Sequence, residues 1–167
     1  MSDGGQPREQ RRGRAIAMAP GERDTFLERE RTCRVATVGG DGAPHVAPLW
    51  FVWDGAALWL NSIVKSQRWT DLTRDPRIAV VVDAGTEFWE LRGVEITGRA
   101  EVVGDVPRAT GPVPELVDVE PAFARKYQGT DEFTPDGRHG WLRVAPEKIT
   151  SWDFRKNPAL RPPGEQP

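Results

Sequence analysis

The chain has 167 residues, with 23 Lys and Arg against 25 Asp and Glu, a formal net charge of −2, and one cysteine. That length suits a single domain with a substantial core, and the near balance of charge argues against a dedicated nucleic-acid binder, which carries a basic excess. Cys33 has no partner for an internal disulfide, which fits a reducing cytoplasm, and no run approaches the ~20 apolar residues that span a bilayer.

Residues 1–20 (MSDGGQPREQRRGRAIAMAP) and 156–167 (KNPALRPPGEQP) are rich in Gly, Pro, Gln and Arg, and read as disordered tails around a folded centre at 21–155. AIAMAP at 15–20 is too short for the core of a secretion signal. Arg8, Arg11, Arg12 and Arg14 could serve a polyanion, but no aromatic residue is interleaved, and a solvated tail is the expected role. Thr25 with Glu28 fits a capping box, so a short helix is expected through about Arg31. CRVATV (33–38) has strand composition, and GGDG (39–42) is a hairpin turn. PHVAPLWFVW (44–53) is predicted as one long strand, apolar in both parities, so both of its faces need cover. Asp54-Gly55 is a second hairpin signal, returning the chain into AALWLNS (56–62).

A short helix follows over about 65–74 and ends at Asp75-Pro76, and RIAVVVD (77–83) is a buried strand. From Phe88 to Val103 the apolar phase changes: Leu91 is odd, whereas Val94, Ile96, Ala100 and Val102 are even. A bulge near Arg92-Gly93 would reconcile them. PELVDVEPAFARKY (114–127) is helical with Pro121 as a break or a start, and WLRVAPEKITSWDF (141–154) is a last strand, bent at Pro146. About six strands in hairpin order, with two or three short helices, predict a mainly β fold closed as a small antiparallel barrel.

Few side chains are equipped for chemistry of their own. His45 and His139 have no metal-ligand spacing, and there is no HExxH, CxxC or GxSxG. P-loop and dinucleotide glycine motifs are also missing. Glu90, Glu95 and Glu101 fit the wet face of a strand better than a carboxylate pair. An enzyme of this composition would leave the hard step to a cofactor.

The stretch NSIVKSQRWTDL (61–72) is the most informative. Trp69 and Leu72, three apart, form the buried stripe of a helix, which places Lys65, Ser66 and Arg68 at its first turn. Free backbone N–H groups and the helix dipole favour an anion there. Cations at that end oppose the dipole by a few tenths of a kcal/mol each unless an anion compensates. A phosphate grip and a solvated helix end both fit the spacing. Trp50, Trp53, Trp59 and Trp69 lie within twenty positions and suit either an aromatic cleft for a planar phosphorylated ring or core and dimer filling. At least half are expected to be filling.

The order GGDGAPHVAPLWFVWDGAALWLNSIVKSQRWTDLTRDPRIAVVVD, followed by ELRGVEITGRAEVV, resembles the pyridoxamine 5'-phosphate oxidase-like split β-barrel proteins. Within them it is most similar to the actinobacterial flavin/deazaflavin-dependent oxidoreductases, over roughly residues 24–155. The resemblance implies a six-stranded split barrel and a homodimer with two cofactor sites at the subunit interface. It implies the deazaflavin coenzyme F420 as cofactor, with FMN second, and hydride transfer to an unsaturated small molecule. The family's phosphate-binding Ser-Arg-Lys falls on Ser66, Gln67 and Arg68. Gln67 stands where the flavin oxidases have Arg, while Lys65 keeps a cation one step earlier. The strand along the cofactor ring corresponds to Ala47, Pro48, Leu49 and Trp50, which would supply backbone donors. No side chain is singled out as catalytic. The C-terminal arginine and histidine that recognise pyridoxal phosphate have no match, so pyridoxamine-phosphate oxidation is not expected. The alternative is a carrier that binds flavin, deazaflavin or haem without turnover, with His45 or His139 as an iron ligand.

Overall fold

The computed structural model describes residues 6–161. Seven antiparallel strands form one curled sheet: β1 (Cys33–Val38), β2 (Pro44–Leu49), β3 (Phe51–Trp53), β4 (Leu58–Ile63), β5 (Arg77–Ala84), β6 (Arg92–Val103) and β7 (His139–Asp153). Their spatial order is β2-β1-β5-β6-β7-β4-β3, so the sheet is a half-barrel with β2 and β3 at its edges. Both expected hairpins form. Gly42 and Gly55 take the positive φ that their turns require, 83° and 92°, and the Asp54 carboxylate accepts the N–H groups of Ala56 and Ala57. Inside the curl, Val35, Leu58, Leu60, Val80, Ile96, Leu142 and Val144 form the main core. A second core lies on the outer face, where helix α3 (Val119–Gln128) lays Val119 and Phe123 over Val52, Trp59 and Trp141.

The single strand expected over 44–53 is broken at Trp50. Its two halves pair with different partners, β2 with β1 and β3 with β4. The cause lies far along the chain. The Tyr127 hydroxyl accepts the Phe51 N–H at 3.0 Å and sits 2.8 Å from the Phe51 carbonyl, satisfying the backbone where the ladder stops. That break raises the strand count from six to seven.

Three other expectations shift. Helix α1 (Pro20–Arg29) starts five residues before Thr25. Pro20 supplies a preset φ at the first helical position, and the Glu22 carboxylate accepts the Ala19 N–H at 2.7 Å. The β6 irregularity is not at Arg92-Gly93. Leu91 lies outside the strand, so its parity places no demand on it, and the register runs unbroken from Arg92↔Asp153 to Thr97↔Lys148. The slip comes next, where Gly98 pairs with Pro146 and Glu147 is the extra residue on β7. A Cβ on Gly98 would lie 2.1 Å from the Ala145 carbonyl oxygen, so glycine is required by close approach. Pro121 is the third residue of α3, within the first turn where no backbone donor is needed.

Part of the segment expected to be a solvated tail lies along β7. The Arg8 N–H donates to the Glu147 carbonyl at 2.8 Å. The Gln10 side-chain amide donates to Ser151 O at 3.0 Å and accepts the Ser151 N–H at 2.9 Å, a two-bond imitation of a strand neighbour. Met18 packs against the main core and gives its N–H to Ser151 Oγ. At the other end, Lys156 donates to the Ala17 carbonyl and the Glu22 carboxylate.

Candidate functional site: a buried arginine beside an open edge strand

Helix α2 (Gln67–Arg74) follows β4 after a two-residue link and a cap. Ser66 is that cap: its Oγ accepts the Trp69 N–H at 3.2 Å. Trp69 and Leu72 enter the main core, as their spacing predicts. This seats the helix against the barrel and carries Arg68 inward with Trp69. Arg68 is only 6% exposed. Its Nε and Nη2 both donate to the Ser62 hydroxyl, at 3.2 and 3.1 Å. No carboxylate among the described residues pairs with it. Burial lowers the guanidinium pKa from the ordinary arginine value, partly opposed by the nearby Cys33 sulfur. Cys33 itself is buried, donates weakly to the Leu49 carbonyl at 3.4 Å, and has its thiol pushed up to about 12 by burial. A buried guanidinium whose only partner among the described residues is one hydroxyl is held at a cost, and an anion would offset it.

The other predicted phosphate ligands do not all point the same way. Lys65 is exposed. Gln67 donates to Asp71 Oδ1 at 2.8 Å. Asp71 is fully buried and also accepts the Thr37 hydroxyl at 2.8 Å, with His45 Nδ1 at 3.9 Å and Arg74 at 3.5 Å. The Gln67 bond, with help from Thr37, holds the Asp71 carboxyl below its ordinary range. Gln67 thus belongs to a separate polar cluster, away from the Ser62–Arg68 pair. Ser66 has its oxygen lone pair in the cap, which leaves its hydroxyl hydrogen free.

Strand β2 divides its side chains cleanly. His45, Ala47 and Leu49 pair with Thr37, Val35 and Cys33 and are half-buried, while Pro44, Val46, Pro48 and then Trp50 are exposed. Proline at 44 and 48 fits an edge strand, since neither can donate. Among the ring-facing candidates Ala47, Pro48, Leu49 and Trp50, only Pro48 and Trp50 therefore show side chains outward, and Pro48 has no backbone N–H to offer. The Trp50 ring stacks on Tyr127, with centroids 4.4 Å apart and planes 9° apart. Phe123, Trp141 and Phe133 continue the aromatic cluster inward, into the second core.

Three of the four clustered tryptophans are core: Trp53, Trp59 and Trp69 are buried, and Trp50 alone of the four is 47% exposed. Residues that the local sequence pattern did not mark are Ser62, Tyr127 and Asn61. Asn61 is buried on β4 with its Nδ2 lacking a partner among the described residues, and its visible signal was an amide inside the apolar run ALWLNS. His139 bonds Asp136 at 2.7 Å. No group of three or more His, Cys, Asp or Glu that could hold a metal occurs among the described residues.

The sequence profile of pyridoxamine 5'-phosphate oxidase matches residues 19–153. The chain belongs to this family. Its fold is the split barrel of that family, shared with the conserved hypothetical protein Rv2991 from Mycobacterium tuberculosis at 30% identity and a TM-score of 0.73, covering 96% of this chain and 100% of that one. An F420 reductase is similar at 24% identity and a TM-score of 0.56, over 75% of this chain and 94% of its own. A heme binding protein from Mycobacterium smegmatis shares the fold at 15% identity and a TM-score of 0.60, over 84% of this chain and 60% of its own. No curated protein matches the sequence. Among the described residues no helix is long and apolar enough to cross a membrane.

Proposed function

We propose that this chain is an F420-dependent oxidoreductase, with FMN as the second candidate cofactor, working as a homodimer on an unsaturated small molecule. The observation that carries the reading is Arg68, a buried cation whose one partner among the described residues is the Ser62 hydroxyl. Such a group suits a phosphate, which would take its remaining donors in a charge-assisted bond. The residues present fit a phosphorylated ring cofactor. Arg68 would hold the phosphate, the Ser66 hydroxyl would donate to it, and Lys65 would add charge from the solvent side. The backbone of Ala47, Leu49 and Trp50 would orient the ring, and the exposed Val46–Trp50 face would meet the second subunit. When bound and reduced, the deazaflavin supplies a hydride to the acceptor. The chain positions the ring and keeps water away, and no side chain is assigned as a proton donor.

The test is titration of the purified protein with F420, FMN and haemin, each followed by its own absorption bands. Oxidation of reduced F420 by an α,β-unsaturated ketone is then measured. Saturable F420 binding with protein-dependent oxidation is the expected result. Tight haemin binding with no F420 or FMN binding would overturn the proposal in favour of a haem carrier.

A further inference from the structure

The docked N-terminal segment creates a second cationic site, far in chemistry from the Arg68 junction. Its register is set by the Arg8 N–H on Glu147 and by the Gln10 amide on Ser151, and Arg8 bridges Lys148 in parallel. That register leaves a half-open cleft of about 610 Å³ between the segment and β7, lined by Arg8, Arg11, Arg12 and Lys148, with Gln10 and Thr150. None of the four cations has a carboxylate within ion-pair distance among the described residues. The one acid on the lining, Glu9, is already paired with Arg14 at 3.1 Å. Four cations without an ion-pair partner among the described residues therefore line one concave surface in a chain whose net charge is −2.

We propose that this cleft binds a compact multivalent anion, a small molecule carrying two or more phosphate or carboxylate groups. The volume is that of a small-molecule site. Arginine forks suit planar or tetrahedral anions, Lys148 adds a point charge from the barrel wall, and the Thr150 hydroxyl offers a neutral donor. The site does not depend on the cofactor reading, because it shares no residue with it.

Calorimetric titration with tripolyphosphate, citrate and inorganic phosphate tests the site on the full chain. Tripolyphosphate or citrate should bind about tenfold more tightly than inorganic phosphate, through simultaneous contacts, and weaken with added salt. Binding of the first alone assigns phosphate chemistry, and binding of the second alone assigns carboxylate. Lys148→Ala and the double variant Arg11→Ala/Arg12→Ala should each lose about three- to fivefold per cation removed, the scale of an exposed charge pair, with unchanged melting temperature. Arg125→Ala, an exposed cation on α3 paired with Asp131, should bind like the parent. No binding of either polyanion at millimolar concentration would overturn the proposal. So would parent-like binding by Lys148→Ala, which would mean a loose basic arm and not a built cleft. Tighter binding of a DNA duplex than of tripolyphosphate would equally exclude a compact ligand.

Discussion

Replacing Arg68 by methionine separates the two things a buried cation can do. The side chain is 6% exposed and spends two donors on a single hydroxyl. Methionine keeps an unbranched, flexible stem out to about the position of Nε but removes the charge. Exchanging buried charge for apolar volume is often neutral or stabilising by ~1–4 kcal/mol. Against this, the Ser62 hydroxyl loses its donors, at a cost of about 1 kcal/mol. The cofactor-free variant should therefore hold its stability or gain about 1 kcal/mol, which for a chain of this size is about 2–4 °C. Cofactor affinity should move the other way. Losing a hydrogen bond to a charged group costs about 1.5–3 kcal/mol, or about 10- to 150-fold in Kd. Arg68→Lys, which keeps the charge but not the fork, should fall between parent and Arg68→Met. The assays are thermal melts without cofactor and titrations with F420 and FMN. A melting temperature that drops by several degrees, with affinity for both cofactors unchanged, would refute the reasoning: Arg68 would be a strut across the barrel mouth.

Val46 is 66% exposed on the outward face of β2, so Val46→Asp should shift a dimer toward monomer in light scattering at micromolar concentration without lowering the monomer's helix and strand signal. Gly98→Ala would place its Cβ 2.1 Å from the Ala145 oxygen; chemical denaturation should show a loss of about 1–3 kcal/mol or more, as for overpacked sites. Gln10→Ala removes both bonds to the Ser151 backbone and should cost about 1–2 kcal/mol, with faster amide exchange at Ser151; a solvated tail would give no change. Lys126 donates to the Leu27 carbonyl, and burial pulls its pKa down from 10.5 to about 8. Below about pH 8 both folded and unfolded chains carry that proton and the burial penalty is fully present; between there and the ordinary lysine value only the unfolded chain binds it, so stability rises with pH. The melting temperature of the parent should accordingly climb relative to Lys126→Met as pH is raised across that window.

Local chemistry was enough for much of this protein. GGDG and Asp54-Gly55 produce their hairpins because glycine tolerates the positive φ each turn needs. Trp69 and Leu72 face the core because a helix returns to the same side every three to four residues. The family resemblance, carried by the same segment, located the strand–helix junction that holds Arg68. What the pattern could not show depends on partners distant in the chain. The break at Trp50 needs the Tyr127 hydroxyl, 76 positions from Phe51. The bulge follows the crowding of Gly98 by Ala145, not any irregularity in β6 itself. A polar, arginine-rich leader reads as solvated until Ser151, 141 positions away, offers its backbone to Gln10. The inward turn of Arg68 is of the same kind. Periodicity assigns a residue to one side of a helix, but only the packing of that helix against the barrel decides whether that side meets water or the Ser62 hydroxyl. Sequence neighbours set backbone conformation through short-range sterics and hydrogen bonds, whereas burial and charge compensation are set by whichever distant groups the closed sheet brings alongside.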